Sequence, residues 1–179
     1  MRKREKATDP VSETVYIGLG SNLGDRESFL KQAISRLGDV DGLEITAVSA
    51  IYISQPDGMA DDSPSFLNQV VRAEYAFTPE ELLRRVEQIE TDLGRADKGA
   101  HLARTIDIDI VMFGGHSIKT DRLEIPHPRM LKRPFVLVPL LEIDSTLAHP
   151  VTGKQLSQYV TSAVRLNLEV FKDHVARQV

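Results

Sequence analysis

The stretch Arg104-Thr105-Ile106-Asp107-Ile108-Asp109-Ile110-Val111-Met112-Phe113 constrains this chain more than any other. Read as a β-strand running into the Gly114-Gly115 turn, it puts Ile106, Ile108, Ile110 and Met112 on one face and Thr105, Asp107, Asp109 and Val111 on the other, because successive side chains of a strand point to opposite sides. The first face must bury. The second needs a use, since Asp is disfavoured in strands. Carboxylates at i and i+2 stand roughly 7 Å apart, close enough to converge on shared hard cations. An all-oxygen site in a chain without cysteine suits magnesium better than zinc. Arg104 enters the strand just before the acids, and phosphoryl transfer needs such a cation, because developing negative charge is held from several directions. The plainer alternative, a strand whose polar face is simply wet, weighs about equally for an isolated D-x-D.

The 179 residues, 41% hydrophobic and 27% charged, suit one soluble domain with a core of its own. Residues 1–13 are polar, mixed in charge and lack the apolar run of a secretory signal, so a flexible tail is expected there and a single domain over 14–179. No run of apolar residues is long enough to span a bilayer, so no membrane partner is expected. The lack of cysteine excludes a disulfide framework and fits a cytoplasmic location. A net charge of −4 argues against general nucleic-acid binding. Between residues 95 and 133 the sign reverses, with eight Lys and Arg against five Asp and Glu, which points to a small anionic substrate or, more blandly, to a solvated basic surface.

Along the chain, Val15–Gly20 reads as a strand and Ser21–Gly24 as a turn. A helix follows, capped by Asp25, with Leu30, Ala33, Ile34 and Leu37 on its apolar face and Gly38 at its end. The glycine spacing fits neither a dinucleotide fingerprint nor a Walker A loop. Leu43–Ile53 alternates as a second strand, with Leu43, Ile45, Ala47, Ile51 and Ile53 on one face; Met59–Ser65 is expected to be mobile. Phe66–Phe77 makes a third strand, on which Asn68 is out of character. Thr78-Pro79-Glu80-Glu81 combines an N-cap, a first-turn proline and a capping-box Glu, and opens a helix buried through Leu82, Val86, Ile89 and Leu93 with Gly94 beyond it. Leu123–Ile125 is extended, Phe135–Leu141 helical, Gln155–Ala163 helical and Leu168–Phe171 a last strand. The order strand, helix, strand, strand, helix, strand over 14–113 predicts an α+β ferredoxin-like antiparallel sheet with helices packed on it, plus C-terminal additions.

Four blocks then coincide. Tyr16-Ile17-Gly18-Leu19-Gly20-Ser21-Asn22-Leu23-Gly24, Phe66-Leu67-Asn68, Arg104-Thr105-Ile106-Asp107-Ile108-Asp109 and Ile125-Pro126-His127-Pro128-Arg129-Met130, in that order, resemble the 6-hydroxymethyl-7,8-dihydropterin pyrophosphokinase family of folate biosynthesis. The resemblance implies transfer of pyrophosphate from ATP to the pterin hydroxymethyl group with release of AMP, and two Mg²⁺ ions on Asp107 and Asp109. It implies that Arg95 and Arg104 clamp the phosphates as catalytic residues, and that Glu90, Ile110, Arg122, His127 and Arg133 complete the ATP site. For the pterin it implies Asn68 at the ring edge, Phe66 and Phe135 near its faces, and main-chain groups of Ser54, Gln55 and Asp57. His101-Leu102-Ala103 stands where the family commonly carries Trp-Gly-Pro, so the stacking surface is expected to differ, with His101 as a smaller ring or Leu102 as an apolar lid. By themselves, His127 fits a turn, Arg133 a helix-end cap and Phe135 plain core.

A catalytically altered relative, its loop changed at His101-Leu102-Ala103, is one alternative, and two other classes compete. A nucleotidyltransferase also pairs a Gly-Ser turn with a D-x-D strand, but close together in sequence, whereas here Ser21 and Asp107 are far apart. An RNA-binding sheet would carry aromatic and basic residues where this chain places two acids. The expected partners are therefore small molecules and no nucleic acid, in a monomer or weak homodimer.

Overall fold

A computed structural model of the chain describes residues 12–56, 64–95, 103–160 and 168–172. In chain order the elements are β1 (Glu13–Ser21), α1 (Arg26–Gly38), β2 (Leu43–Val48), β3 (Ile51–Ser54), β4 (Phe66–Tyr75), α2 (Pro79–Asp92), β5 (Asp107–Phe113), β6 (Ile118–Lys119), β7 (Glu124–Ile125), α3 (Pro134–Ile143) and β8 (Glu169–Lys172). β1 is central, antiparallel to β5 on one side and β4 on the other. β2 and β3 pair with successive parts of β4, and β8 closes the sheet on β3. β6 and β7 form a separate two-stranded ribbon.

Each face of the sheet has its own core. Val15, Ile17 and Leu19 of β1 join Leu67, Val71, Ala73 and Tyr75 of β4 and Ile106, Ile108 and Ile110 under α1 and α2. The alternate residues Tyr16, Val70, Val111 and Met112 pack instead with α3 and the 3₁₀ turns Met130–Lys132 and Leu156–Tyr159. α1 starts where Asp25 accepts from Ser28 N, and α2 where Thr78 accepts from Glu81 N, each satisfying one donor left free at a helix start. The Glu81 carboxylate turns to Arg84 and Arg85.

Several expectations shift. β1 already begins at Glu13, whose carboxylate meets His116 Nε2 at 2.7 Å; residues 1–11 lie outside the described residues. Leu43–Ile53 divides at Ser49-Ala50, and a register shift between Ile45 and Ala47 moves Val48, in place of Ala47, onto the helix-covered face. A bulge in β5 has the same effect: Tyr16 pairs with Met112 and Ile17 with Ile110, so Met112 turns to the α3 side and Phe113 takes its place in the first core. Gly38 does end α1, though without a left-handed conformation; between α1 and β2 the left-handed glycine is Gly42. The helix expected over 155–163 is a short 3₁₀ turn, and residues 161–167 lie outside the described residues.

α3 is tied to the central strand by a polar contact, Tyr16 Oη donating to Asp144 Oδ2 at 2.8 Å. Burial works against the charged Asp144, but hydrogen bonds from Thr146 and Tyr16 outweigh it and hold the carboxyl below its ordinary range. A group depressed in the folded state stabilises it above the unfolded value, about 3.9, and stops doing so as the pH falls through the folded value. Tyr16→Phe is expected to cost about 1 kcal/mol in urea unfolding at neutral pH, a deficit that narrows in acid as Asp144 protonates.

Candidate active site

On the face that carries α3, β1 presents Tyr16, Gly18 and Gly20. Tyr16 is covered and the two glycines are bare. Gly20 lies between Asn68 of β4 and Asp107 of β5, and Gly18 between Val70 and Asp109. With strands about 4.8 Å apart, Asn68 and Asp107 face each other across a strip of main chain about 10 Å wide. A Cβ on Gly20 would stand 3.6 Å from Asn68 Oδ1, 3.6 Å from Phe66 Cδ1 and 3.9 Å from the Asp107 Cβ. The missing side chains thus open a trough across the sheet, with an amide and an aromatic ring at one end and two carboxylates at the other.

Three guanidinium groups surround the acids. Arg95 Nη1 donates to Asp107 Oδ1 at 2.7 Å, and Arg104 Nη1 to Asp107 Oδ2 at 2.9 Å. Arg133 Nη1 donates to Asp109 Oδ2 at 3.1 Å. Two constraints fix Arg104. Its N–H donates to Asn22 Oδ1 at 2.8 Å, and its carbonyl accepts from Asn22 N at 3.2 Å. Arg95 is placed by Glu90, which is 4% exposed on α2; the Glu90 carboxylate contacts the Arg95 guanidinium and accepts from Ile108 N at 2.7 Å. Burial pushes this carboxyl up to about 7, against the pull of the Ile108 N–H and of Arg95 and with the push of Asp107 and Asp109. Glu90, expected in the nucleotide site, acts in this geometry as a strut between α2, Arg95 and β5.

His127 follows Pro126, held by its N–H to Val111 O at 2.9 Å. Arg129 N–H donates to its Nδ1 at 3.1 Å, and its Nε2 lies 3.4 Å from Arg133 Nη1 and 3.7 Å from Asp109 Oδ2. Burial lowers the imidazole pKa, and Arg133 and Arg129 add to that against the opposing pull of Asp109. Arg133 also lies over the Phe135 ring, 5.6 Å from its centroid. Arg122 is not brought into this cluster; its guanidinium reaches outward to Glu87 on α2 at 2.8 Å. The Ile110 side chain is buried in the core under α1 and α2, because strand alternation turns it away from the acids, so only its main chain could meet a nucleotide.

At the far end of the trough Asn68 is 4% exposed, and its Nδ2 donates to Ser54 Oγ at 2.9 Å. Phe66 is half-buried beside it and Gln55 is exposed at the end of β3. Asp57 and His101 lie outside the described residues, as does most of the segment from Met59 to Ser65 expected to be mobile.

The arrangement fits a cation that arrives with a polyphosphate. Among the described residues no group of three or more His, Asp or Glu is placed to hold a metal by itself, whereas Mg²⁺ is commonly bound by one or two carboxylates with phosphate oxygens and water completing its shell. Buried Arg95 Nε and Arg133 Nε have no hydrogen-bond partner among the described residues, so both guanidinium groups keep donors for an anion.

Residues 16–145 match the family described as 7,8-dihydro-6-hydroxymethylpterin-pyrophosphokinase (HPPK). The chain belongs to this family. It is 40% identical over 148 residues to the 2-amino-4-hydroxy-6-hydroxymethyldihydropteridine pyrophosphokinase of Bacillus subtilis, covering 83% of this chain and 88% of that protein. The protein of the same name from Aquifex aeolicus is also 40% identical, over 82% of this chain and 89% of its own length. The folic acid synthesis protein fol1 of Pneumocystis carinii is 42% identical over 90% of this chain, which spans 21% of it. Among solved structures, an HPPK-DHPS in complex with substrates superposes with a TM-score of 0.69 at 14% identity, over 89% of this chain and 46% of that one. At that identity the likeness speaks for the fold, in which helices pack on an antiparallel sheet.

Against the HPPK pattern, three features of the site went unread in the sequence. The Gly18/Gly20 pair looks like the end of a strand, although glycines at i and i+2 on one face were the available signal of a bare strip. Asn22 as the clamp on Arg104, and Glu90 as a strut, join residues distant in sequence and leave no local signal. Glu90→Ala leaves Ile108 N–H unpaired and Arg95 with Asp107 as its remaining carboxylate among the described residues, and is expected to cost about 2 kcal/mol in urea unfolding, whereas Glu90→Gln keeps an acceptor and costs less than about 1 kcal/mol. Because the folded carboxyl binds its proton more tightly than the unfolded one, the metal-free wild type loses stability as the pH rises from about 4.5 toward about 7. Glu90→Gln is expected to remove that part of the pH dependence.

Proposed function

We propose that the chain carries out the HPPK reaction as a single domain over residues 14–179, transferring pyrophosphate from ATP to the hydroxymethyl group of 6-hydroxymethyl-7,8-dihydropterin in folate synthesis. The carrying observation is the trough itself: Asp107 and Asp109, ringed by Arg95, Arg104 and Arg133, look across Gly18 and Gly20 to Asn68 and Phe66. A flat heterocycle seated against Asn68, with Phe66 and Phe135 toward its faces, brings a short exocyclic arm to the carboxylate end. We read the sheet order β5-β1-β4-β2/β3 as ferredoxin-like, with α3, the Leu156–Tyr159 turn and β8 as C-terminal additions.

In this reading Asp107 and Asp109 hold two Mg²⁺ ions. When bound, Mg²⁺ neutralises phosphate charge and draws the triphosphate into the in-line geometry that phosphoryl transfer needs. With the metal bound, Arg95 and Arg104 would turn donors from Asp107 to phosphate oxygens, and Arg133 and His127 would do the same beside Asp109. The hydroxymethyl oxygen bonds to the β-phosphorus and gives up its proton to solvent, the bond from the β-phosphorus to the α–β bridging oxygen breaks, and that oxygen leaves with AMP. Catalysis is then mostly positioning and electrostatics. The main-chain groups of Ser54 and Gln55 meet the ring, and for Asp57, His101 and Arg122 the support is their place in the sequence pattern. Among the described residues no helix is long and apolar enough to cross a membrane. We place the protein in the cytoplasm, as a monomer or weak homodimer acting on small molecules.

Asp107→Ala and Asp109→Ala are each expected to lower Mg²⁺-dependent AMP release by at least about 100-fold while leaving circular dichroism and the unfolding midpoint near wild type. Turnover retained in both variants would contradict the assignment.

A further inference from the structure

Asn68 is polarised by its surroundings. Its Nδ2 faces three acceptors: Ser54 Oγ at 2.9 Å, Tyr52 O at 3.3 Å and Phe66 O at 3.5 Å. Two of these are main-chain carbonyls, which cannot donate, so the side chain cannot be turned over without setting Oδ1 against two oxygens. Among the described residues nothing donates to Oδ1, which lies over the trough, 3.6 Å from where a Gly20 side chain would begin. The nearest of the three acceptors is the hydroxyl of Ser54, itself buried at 7% exposure.

From this we infer that Ser54, through its hydroxyl, is a positioning residue that holds in place the Asn68 amide, whose polarity the Tyr52 and Phe66 carbonyls set with Oδ1 outward, so that the site selects the edge of the heterocycle that donates N–H. The inference rests on the pterin reading of the trough and deepens it. Asn68 spends its donors inside the protein and offers the ligand one acceptor. A ring turned to present only acceptors meets an unpaired carbonyl oxygen and is rejected, because a site built to accept a substrate N–H discriminates strongly against a ligand that lacks it.

The test pairs kinetics with nuclear magnetic resonance. Ser54→Ala is expected to raise the KM for the hydroxymethylpterin about five- to tenfold, the effect of one hydrogen bond, with kcat and the KM for ATP unchanged; Ser54→Thr, which keeps an Oγ, restores it. In the free wild-type protein the Asn68 side-chain amide protons should exchange slowly with solvent and shift little when the pterin is added, and in Ser54→Ala they should exchange faster. Amide protons that exchange freely in the wild type, or shift strongly on pterin binding, would place Nδ2 toward the ligand and overturn the proposal. So would a Ser54→Ala variant with unchanged KM, or one whose two KM values rise together with a fall in Tm. The exchange measurement needs no turnover, so a wild type inactive toward the pterin would count against the function while the amide geometry was still decided.

Discussion

The register of β1 between β4 and β5 is the constraint on which the site depends. Side chains on a strand alternate, so a slip of one residue would turn Asp107 and Asp109 into the apolar layer under α1 and α2 and bring Ile106, Ile108 and Ile110 to the trough. Burying two carboxylates without partners is prohibitive, and this penalty enforces the register together with the burial of Ile17 and Leu19. The same pairing sets Gly20 between Asn68 and Asp107, so the chemical ends of the trough are placed by main-chain hydrogen bonds and not by loops. The bulge that returns Met112 to the α3 side falls just past Asp109, where the strand has finished presenting acids and must again bury both faces.

Charge balance follows from that placement. Two acids side by side repel, and three arginines crowded together would repel in turn; here each set neutralises the other, with Asp107 shared by Arg95 and Arg104 and Asp109 held by Arg133. In the proposed reaction a metal-bound triphosphate replaces both halves of this network at once, cations meeting the acids and phosphate oxygens meeting the guanidinium groups. Glu90 and Asn22 hold Arg95 and Arg104 from behind through contacts that such an exchange leaves in place.

Much of this was legible in the sequence because it is local. The alternation of Ile106 to Asp109, the caps at Asp25 and Thr78 and the apolar stripe of α2 each lie within a few residues, and each stands in the structure as read. What escaped depends on pairs far apart in the chain. The register shift inside β2 and the bulge that reverses Met112 answer to their partners on β4 and β1, and the apolar content of residues 155–160 gave no sign that Leu156–Tyr159 would be a 3₁₀ turn. The paired acids and Arg104 advertised themselves by type and spacing, whereas Ile110, whose side chain strand geometry commits to the core, has its main chain alone to offer the site.

The most direct measurement of the central claim is the fate of label from ATP carrying radioactive phosphorus at a single position. If the trough presents the β-phosphorus to the hydroxymethyl oxygen, label from the β- and the γ-position appears in the pterin product in equal amounts, label from the α-position stays in AMP, and no ADP forms. Transfer of γ-label alone, with ADP as the second product, would contradict the account.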